Sequence, residues 1–218
     1  MVVLKAIASA IIGYLLGSIS PSYIISKKKK IDLRKRGTGN LGASNTFINL
    51  GKKYGVLVMA FDIFKAFFAV NLSAALFPGV AIARVASGSA AVIGHNHPFY
   101  LKFKGGKGIA AFGGFVLAYS VKQFLLLLSL CLLSAVMINY SCVLSISGAI
   151  LFPIVSAFSV WQDGSELSLI IATFIITSIS SVSIIIKHTD NLRKIKEGKE
   201  EKFNTFMKKY VFAEKSKK

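Results

Sequence analysis

Long apolar segments constrain the fold of this chain more than any other feature of its sequence. Seven of them follow one another, at about 2–26, 54–77, 80–98, 109–121, 123–140, 143–162 and 166–186. About 20 consecutive apolar residues let a helix cross a bilayer, and a helix satisfies its own backbone N–H and C=O groups there. The sequence therefore predicts an all-α polytopic membrane protein with seven transmembrane helices. The short fourth would cross a thinned bilayer or be extended by the glycine-rich residues before it.

The composition agrees with membrane insertion. Hydrophobic residues make up 54% of the 218 residues and charged residues 17%, whereas soluble domains have roughly 45–50% and 25%. No shift in composition marks a soluble domain or a linker, so residues 1–218 are predicted to form a single integral membrane domain. Cys131 and Cys142 lie in or beside apolar segments without a CxxC pair, which gives no support for a disulfide scaffold or a zinc site.

The basic residues predict the orientation of the chain. Lys and Arg number 27 against 9 Asp and Glu, and most of them fall within 27–53, 99–108 and 187–218. Basic loops stay on the cytoplasmic side of a membrane. An even number of spans separates each of these regions from the next, so all three return to one face. We therefore expect the N-terminus outside, the C-terminus in the cytoplasm and the turn at 140–142 on the inner face. This distribution also argues against nucleic-acid binding.

A glycine-rich segment from Gly37 to Asn45 (GTGNLGASN) is the first candidate binding site. Its glycines let the backbone approach a ligand closely, and its hydroxyl and amide side chains can form hydrogen bonds. Arg34, just before it, can grip a phosphate through its fork of donors. The alternative is a glycine loop in which Ser or Asn caps the next helix.

A second candidate is the segment from Phe103 to Gly108 (FKGGKG). Lys104 and Lys107 flank glycines whose free N–H groups are predicted to converge with both ammonium groups on one anion. The segment lacks the GxxxxGK[ST] pattern of a P-loop. The alternative is a lysine cluster that contacts lipid head groups. His95, near the end of the third apolar segment, is predicted to be a hydrogen-bonded structural histidine, and the alternative is an acid/base group.

The third candidate directly follows the seventh apolar segment. His188 and Asn191 are three residues apart, so they share a face if the helix continues. A histidine and an amide at the membrane edge can orient and polarise an attacking hydroxyl. The alternative is a helix-end histidine that interacts with the carbonyl dipole. Asp62 and Lys65, inside the second segment, are expected to neutralise each other and to pack that span near the site.

Taken in order, these motifs resemble the bacterial acyl-phosphate:glycerol-3-phosphate acyltransferase family nearly end to end. The matching elements are Gly17-Ser18-Ile19, Asp32-x-Arg34, GTGNxGASN from Gly37, Gly51-Lys52, Asp62-x-x-Lys65, Gly94-His95-x-x-Pro98, FKGGKG from Phe103, Tyr140-Ser141, His188-x-x-Asn191 and Gly198-x-Glu200. The resemblance implies a seven-helix enzyme in the bacterial inner membrane, with its active site facing the cytoplasm. It would transfer a fatty acyl group from acyl phosphate to the 1-hydroxyl of glycerol 3-phosphate, giving lysophosphatidic acid and phosphate.

The resemblance also implies roles for individual residues. The predicted catalytic residues are Lys107, His188 and Asn191. The predicted substrate-binding residues are Arg34, Thr38, Gly39, Asn40, Gly42, Ser44, Asn45, Lys104, Gly105, Gly106, Gly108, Ser141, Cys142 and Glu200. The proton of the attacking hydroxyl would pass to His188 or to the donor phosphate. No metal, cofactor, acyl-CoA or acyl carrier protein is expected. The expected partners are the two substrates and the bilayer, and a monomer is compatible with this interpretation.

Four positions depart from the family pattern. Ile48 and Lys194 stand where arginines are usual, Cys142 where a serine is usual and Ala111 where a threonine is frequent. An uncharged Ile48 would forgo a charged hydrogen bond worth about 1.5–3 kcal/mol, and Arg36 and Lys194 are the candidates to compensate. These departures leave open a catalytically weak paralogue that senses acyl phosphate or phosphate. A transporter of phosphorylated anions is disfavoured, because few charged residues lie in the middle of the apolar segments.

Overall fold

A computed structural model describes residues 1–211, which form helices and contain no strand. The predicted cytoplasmic region 187–218 thus extends past the described residues from residue 212 onward. The helices, numbered in chain order, are α1 (Val2–Ser18), α2 (Pro21–Lys28), α3 (Ala43–Leu50), α4 (Lys52–Leu76), α5 (Ala81–Asn96), α6 (Ile109–Tyr119), α7 (Val121–Ile138), α8 (Ser141–Gln162), α9 (Leu167–Lys187), α10 (Thr189–Lys196) and α11 (Phe203–Phe206). Short 3₁₀ turns occur at Leu33–Lys35 and Phe99–Leu101, and a π-helical turn at Met207–Val211.

Each of the seven predicted apolar segments contains a helix of the bundle. Five helical stretches are long and apolar enough to cross a membrane, namely Val2–Lys28, Lys52–Leu76, Val121–Ile138, Ser141–Gln162 and Leu167–Lys187. The other two segments contain α5, with 16 residues, and α6, with 11. The all-α prediction is confirmed. Crossing by all seven segments stays a prediction.

The first apolar segment is broken near the end of the bundle that carries the basic loops. Helix α1 ends at Ser18, and α2 begins at Pro21, where the missing N–H of proline is tolerated. The Ser20 side chain caps α2 by accepting from the N–H of Tyr23 at 3.3 Å. Tyr100, from the loop after α5, donates to Ser18 O at 2.8 Å and accepts from the N–H of Ser20 at 3.1 Å. The break is therefore held by the loop that follows α5.

Helices α1 and α5 share the most extensive contact in the bundle. Gly13 lies against Ser87 and Gly17 against Ala91, in the same order along both helices, so the two helices run parallel. A Cβ added at Gly17 would lie 2.1 Å from Ala91 O, far inside van der Waals contact. Small residues at such crossings allow backbones in a membrane to approach closely. Parallel packing brings the C-terminal ends of α1 and α5 to the same end of the bundle.

Three aromatic side chains fill the centre of the bundle. Phe115 on α6 and Phe152 on α8 are fully buried, and their rings meet edge to face with centroids 5.1 Å apart. Phe112 meets Phe152 in the same way at 5.1 Å. Gly88 on α5 makes room for the Phe115 ring, because a Cβ there would lie 2.0 Å from Phe115 Cδ2. This cluster joins α5, α6 and α8 below the polar end of the bundle.

We expect Gly17→Ala to lower the stability of the protein by about 1–3 kcal/mol, since the added methyl forces α1 away from α5. The matched control is Gly113→Ala on α6, where the nearest atom to an added Cβ is Phe124 Cε2 at 3.8 Å. That substitution should leave stability unchanged or raise it by about 0.5–1 kcal/mol. Thermal unfolding in detergent measures both. Equal midpoints for the two variants would contradict the described α1–α5 contact.

Candidate active site

The FKGGKG segment folds back against the end of α5. The Gly105 N–H donates to Asn96 O at 3.1 Å, and the Gly106 N–H donates to His95 O at 3.0 Å. The prediction that these two glycines present free N–H groups to an anion is therefore wrong. They are needed for close approach instead, because a Cβ at Gly105 would lie 2.1 Å from His95 O. Gly108, with φ 90°, begins α6 in a conformation that favours glycine.

Lys107 emerges from this loop and joins the second candidate site to the third. Its ammonium donates to Asn191 Oδ1, and Asn191 Nδ2 donates to Glu200 Oε1 at 2.6 Å. Burial lowers the pKa of Lys107 below its ordinary value, while the nearby Glu200 carboxylate acts in the opposite direction. A half-buried ammonium held in one orientation is suited to bind an oxyanion. The second and third candidate segments, expected on one face of the membrane, are thus in direct contact.

His188 lies between α9 and α10 and is 3% exposed. Its Nδ1 lies 2.8 Å from Ile184 O. Because a carbonyl oxygen only accepts, Nδ1 carries the ring proton, and Nε2 of the neutral ring keeps a free electron pair. Burial, assisted by the positive charge of Lys107, lowers the pKa of His188 to about 4. Near neutral pH, His188 is therefore a hydrogen-bond acceptor with a fixed tautomer.

The chain after α10 is tied to the turn between α7 and α8. Asn139 ends α7 in the left-handed conformation, with φ 61°. Its carbonyl accepts from the N–H of Phe203 at 2.9 Å and its side chain from the N–H of Asn204 at 3.0 Å. Lys202 Nζ donates to Tyr140 OH at 2.9 Å. These bonds hold Glu200 where it meets Asn191.

Ser141 and Cys142 begin α8 next to this turn. Cys142 is 5% exposed, and its thiol is close enough to Lys107 to interact with it electrostatically. Ser141 is half-buried. Cys142 therefore lies near Lys107 and Glu200, and Ser141 directly precedes it in the chain.

The loop before α3 is shaped by Asn45, which is fully buried. Asn45 Nδ2 donates to Leu33 O at 2.8 Å and to Asn40 O at 2.9 Å, while Oδ1 accepts from the N–H of Thr38 at 2.9 Å. A Cβ at Gly37 would lie 2.4 Å from Asn45 Oδ1. The Asn45 side chain thus fixes the conformation of the loop before α3. Thr38, Gly39 and Ser44 are exposed, Asn40 is half-buried, and Gly42 is a buried cap of α3.

This loop meets the FKGGKG region through an apolar contact. Leu33 and Leu41 pack in one buried cluster with Leu101, which precedes Lys104. Arg34 and Lys104 are exposed, and Arg34 pairs with Asp32 at 3.0 Å. Its guanidinium lowers the pKa of the Asp32 carboxyl through their hydrogen bond. The first candidate site therefore lies at the same end of the bundle as Lys107, with its charged side chains still facing water.

The expected Asp62–Lys65 pair is confirmed, with Lys65 Nζ 2.7 Å from Asp62 Oδ1. His95 joins this pair, as its prediction as a structural histidine suggested. Sequence reasoning missed Asn139 and Lys202, the residues that hold the tail. The one available signal for Asn139 was its position at the end of an apolar segment, where asparagine often ends a helix.

Comparison with known proteins decides the family. The family model described as "Glycerol-3-phosphate acyltransferase" matches residues 7–198. The chain belongs to this family. A glycerol-3-phosphate acyltransferase of Thermosipho melanesiensis is 36% identical over 91% of this chain and 93% of its own length. One of Aquifex aeolicus is 35% identical over 92% of this chain and 100% of its own length.

Two solved structures share the fold. Both are of PlsY (YgiH), described as an integral membrane glycerol 3-phosphate acyltransferase. The glycerol 3-phosphate form is 32% identical, with a TM-score of 0.72 over 91% of this chain and 95% of its own. The lysophosphatidic acid form is 31% identical, with a TM-score of 0.72 over 95% of this chain and 99% of its own. With five helical stretches long enough to span a bilayer, this likeness identifies an integral membrane member of the glycerol-3-phosphate acyltransferase family.

The four departures from the family pattern occupy different environments. Ile48 is half-buried on α3 and Ala111 is fully buried on α6. Lys194 and Arg36, the candidates to compensate for Ile48, are exposed. Cys142 and Lys194 are the two of the four that act electrostatically on Lys107.

We expect the His188 ring to stay neutral down to about pH 5, where an ordinary histidine is mostly protonated, because burial lowers its pKa to about 4. Imidazole ¹⁵N NMR of the detergent-solubilised protein follows the protonation of its 3 histidines. The His188→Gln variant assigns the resonance. The spectrum should also place the proton on Nδ1. A midpoint near 6.5, the ordinary value, would contradict the burial of His188.

Proposed function

We propose that this acyltransferase takes its fatty acyl group from acyl phosphate and passes it to the 1-hydroxyl of glycerol 3-phosphate. The products are lysophosphatidic acid and inorganic phosphate. Acyl transfer to glycerol 3-phosphate follows from family membership, whereas the donor and the residue roles are the proposal. The observation that carries it is the hydrogen-bonded group Lys107–Asn191–Glu200 beside neutral His188, which offers an anion site and a hydrogen-bond acceptor for the attacking hydroxyl.

The chemistry of an acyl phosphate suits such a site. Phosphate is a good leaving group, so the enzyme needs alignment and charge stabilisation more than a covalent intermediate. Lys107 would bind the phosphate nearest the reacting carbon, and Asn191 would hold Lys107 in place. The GTGNLGASN loop, with Arg34 and Lys104 at the water-facing edge, would receive the second phosphate. The acyl chain would lie between helices in contact with lipid.

The low pKa of His188 helps to decide whether the proton of the attacking hydroxyl passes to His188 or to the departing phosphate. The glycerol hydroxyl oxygen forms a bond to the acyl carbon while the bond from that carbon to the phosphate oxygen breaks. A phosphate accepts a proton with a pKa of about 6, whereas the pKa of His188 is about 4. The more basic group takes the proton, so it ends on the departing phosphate. His188 Nε2 would orient the hydroxyl by accepting its hydrogen bond.

We also propose that all seven apolar segments span the inner membrane of a bacterium, with the N-terminus outside and the site facing the cytoplasm. The parallel packing of α1 and α5 supports this order, because one intervening span must return the chain. The basic regions share one end of the bundle, as the positive-inside rule requires.

The purified protein should make lysophosphatidic acid from glycerol 3-phosphate with acyl phosphate, and should not do so with acyl-CoA or acyl carrier protein donors. The three donors, matched in chain length, are compared side by side by mass spectrometry of the product. Equal or greater turnover with acyl-CoA would overturn the donor assignment. Ligand-dependent thermal stabilisation without turnover would favour the sensor interpretation.

The same assay tests the residue roles. Lys107→Ala and His188→Ala should each reduce kcat by about a hundredfold or more. His188→Gln should retain part of the activity, since the amide oxygen replaces the Nε2 acceptor. Lys102→Ala is the matched control, because Lys102 is an exposed cation in the same loop. Full activity in both alanine variants would show the site assignment to be wrong.

Orientation is tested with single cysteines introduced after Cys131 and Cys142 are replaced by serine. Cysteines at Lys199 and Lys102 should react with an impermeant maleimide only in inside-out vesicles. Cysteines at Lys122 and Ser165 should react only in right-side-out vesicles. Labelling of the cysteines at positions 122 and 199 from the same side of the membrane would contradict the proposed topology.

A further inference from the structure

The mechanism above does not use a group of ionisable residues buried where α4 meets α5. Asp62, Lys65 and His95 are 1%, 3% and 7% exposed. Lys65 Nζ lies 2.7 Å and His95 Nδ1 3.3 Å from the same Asp62 oxygen. Ionisable groups are costly inside a membrane, and a buried ion pair often adds little net stability compared with apolar residues of similar size. Stability alone therefore does not account for this group.

Lys65 connects the group to the break between α1 and α2. Its ammonium donates to Ile19 O at 2.7 Å, at the residue that directly follows α1. It also lies 3.0 Å from His95 Nδ1. The ammonium thus lies against three groups: the Asp62 carboxylate, with which it forms an ion pair, and the Ile19 carbonyl and the His95 ring, to which it is hydrogen-bonded. His95 Nδ1 thus lies against both the Lys65 ammonium and the Asp62 carboxylate, and the tautomer of the ring decides which of the two it bonds.

His95 connects the group to the loop that carries Lys107. A Cβ added at Gly106 would lie 1.9 Å from His95 Nε2, so the ring edge lies directly against the Gly106 backbone. The Gly106 N–H donates to the carbonyl of the same histidine at 3.0 Å. His95 thus contacts the loop through both its ring and its main chain, one residue before Lys107.

We propose that Asp62, Lys65 and His95 are positioning residues that set the place of Lys107 in the active site. Asp62 orients the Lys65 ammonium, Lys65 orients the His95 ring, and the ring holds Gly106. None of the three would touch substrate. The inference rests on the proposed function, because it assigns a role to residues behind the same site. A catalytic group displaced by about 1 Å from the reacting atoms can lower the rate about a hundredfold.

The main test removes both charges of the pair at once with the double variant Asp62→Leu/Lys65→Met. A single substitution would leave an unpaired charge in the membrane, whereas paired apolar replacement is compatible with folding. We expect kcat for lysophosphatidic acid formation to fall about tenfold to a hundredfold, with the thermal midpoint retained. The matched control is Ser87→Ala, in the same α4–α5 interface, whose hydroxyl donates to Ala69 O at 2.9 Å. It should keep the wild-type kcat.

A second variant tests the same proposal if the first variant does not fold. His95→Asn keeps an acceptor near the Nδ1 position, so Lys65 stays paired, but it removes the ring edge beside Gly106. We expect a similar loss of kcat with retained stability. If the double variant does not fold, His95→Asn decides the question.

The readout independent of turnover is the labelling of Lys107 by an amine-reactive reagent, quantified by peptide mass spectrometry against exposed Lys102. Release of the loop should raise the Lys107 to Lys102 labelling ratio in the double variant and in His95→Asn, but not in Ser87→Ala. Wild-type kcat in the folded variants, or lost activity with an unchanged labelling ratio, would overturn the proposal. If the wild-type protein makes no product from any donor, the proposed function fails, while the labelling ratio still decides whether this group positions Lys107.

Discussion

Polar groups that leave water for the bilayer must find their partners within the protein, and the other features of this structure depend on that requirement. The Lys65 ammonium is satisfied by Asp62 and by the exposed carbonyl at the α1–α2 break. Arg84 donates to Ala118 O at 2.7 Å near the end of α6. In both cases a charged side chain serves a helix terminus, where carbonyl groups lack intrahelical partners. The buried cation and the free carbonyl group at the helix end thus satisfy each other's hydrogen bonding.

The candidate active site arises because several such ends meet at one end of the bundle. Parallel packing of α1 against α5 brings together the α1–α2 break and the loop after α5. That loop places Lys107 against Asn191, which is 84 residues away in sequence. Asn139 then holds the tail so that Glu200 completes the group. Residues that are distant in sequence are in this way ordered by helices that are apolar along most of their length.

Local sequence patterns did not reveal which atoms of the protein certain polar groups bond to. Gly105 and Gly106 suggested free N–H groups, yet the carbonyls at the end of α5 accept both. For Asn45, predicted to contact substrate, the structure adds hydrogen bonds to the backbone of its own loop. A side chain at Gly105 or Gly106 would collide with His95 on α5. Close packing therefore explains the presence of glycine at these positions at least as well as ligand binding does. Composition cannot separate these roles, because both require small residues and free backbone groups.

The sequence by itself determined the helical class, the order of the apolar segments, the common end of the basic loops and the residue types of the site. These follow from local hydrophobicity and charge, which the bilayer sorts without reference to distant residues. Only the tertiary structure decided which polar atoms pair, which tautomer His188 adopts and how Asp62, Lys65 and His95 reach the Lys107 loop. Those outcomes depend on distances of about 3 Å between side chains from different helices, and such distances are set by the packing of the whole bundle.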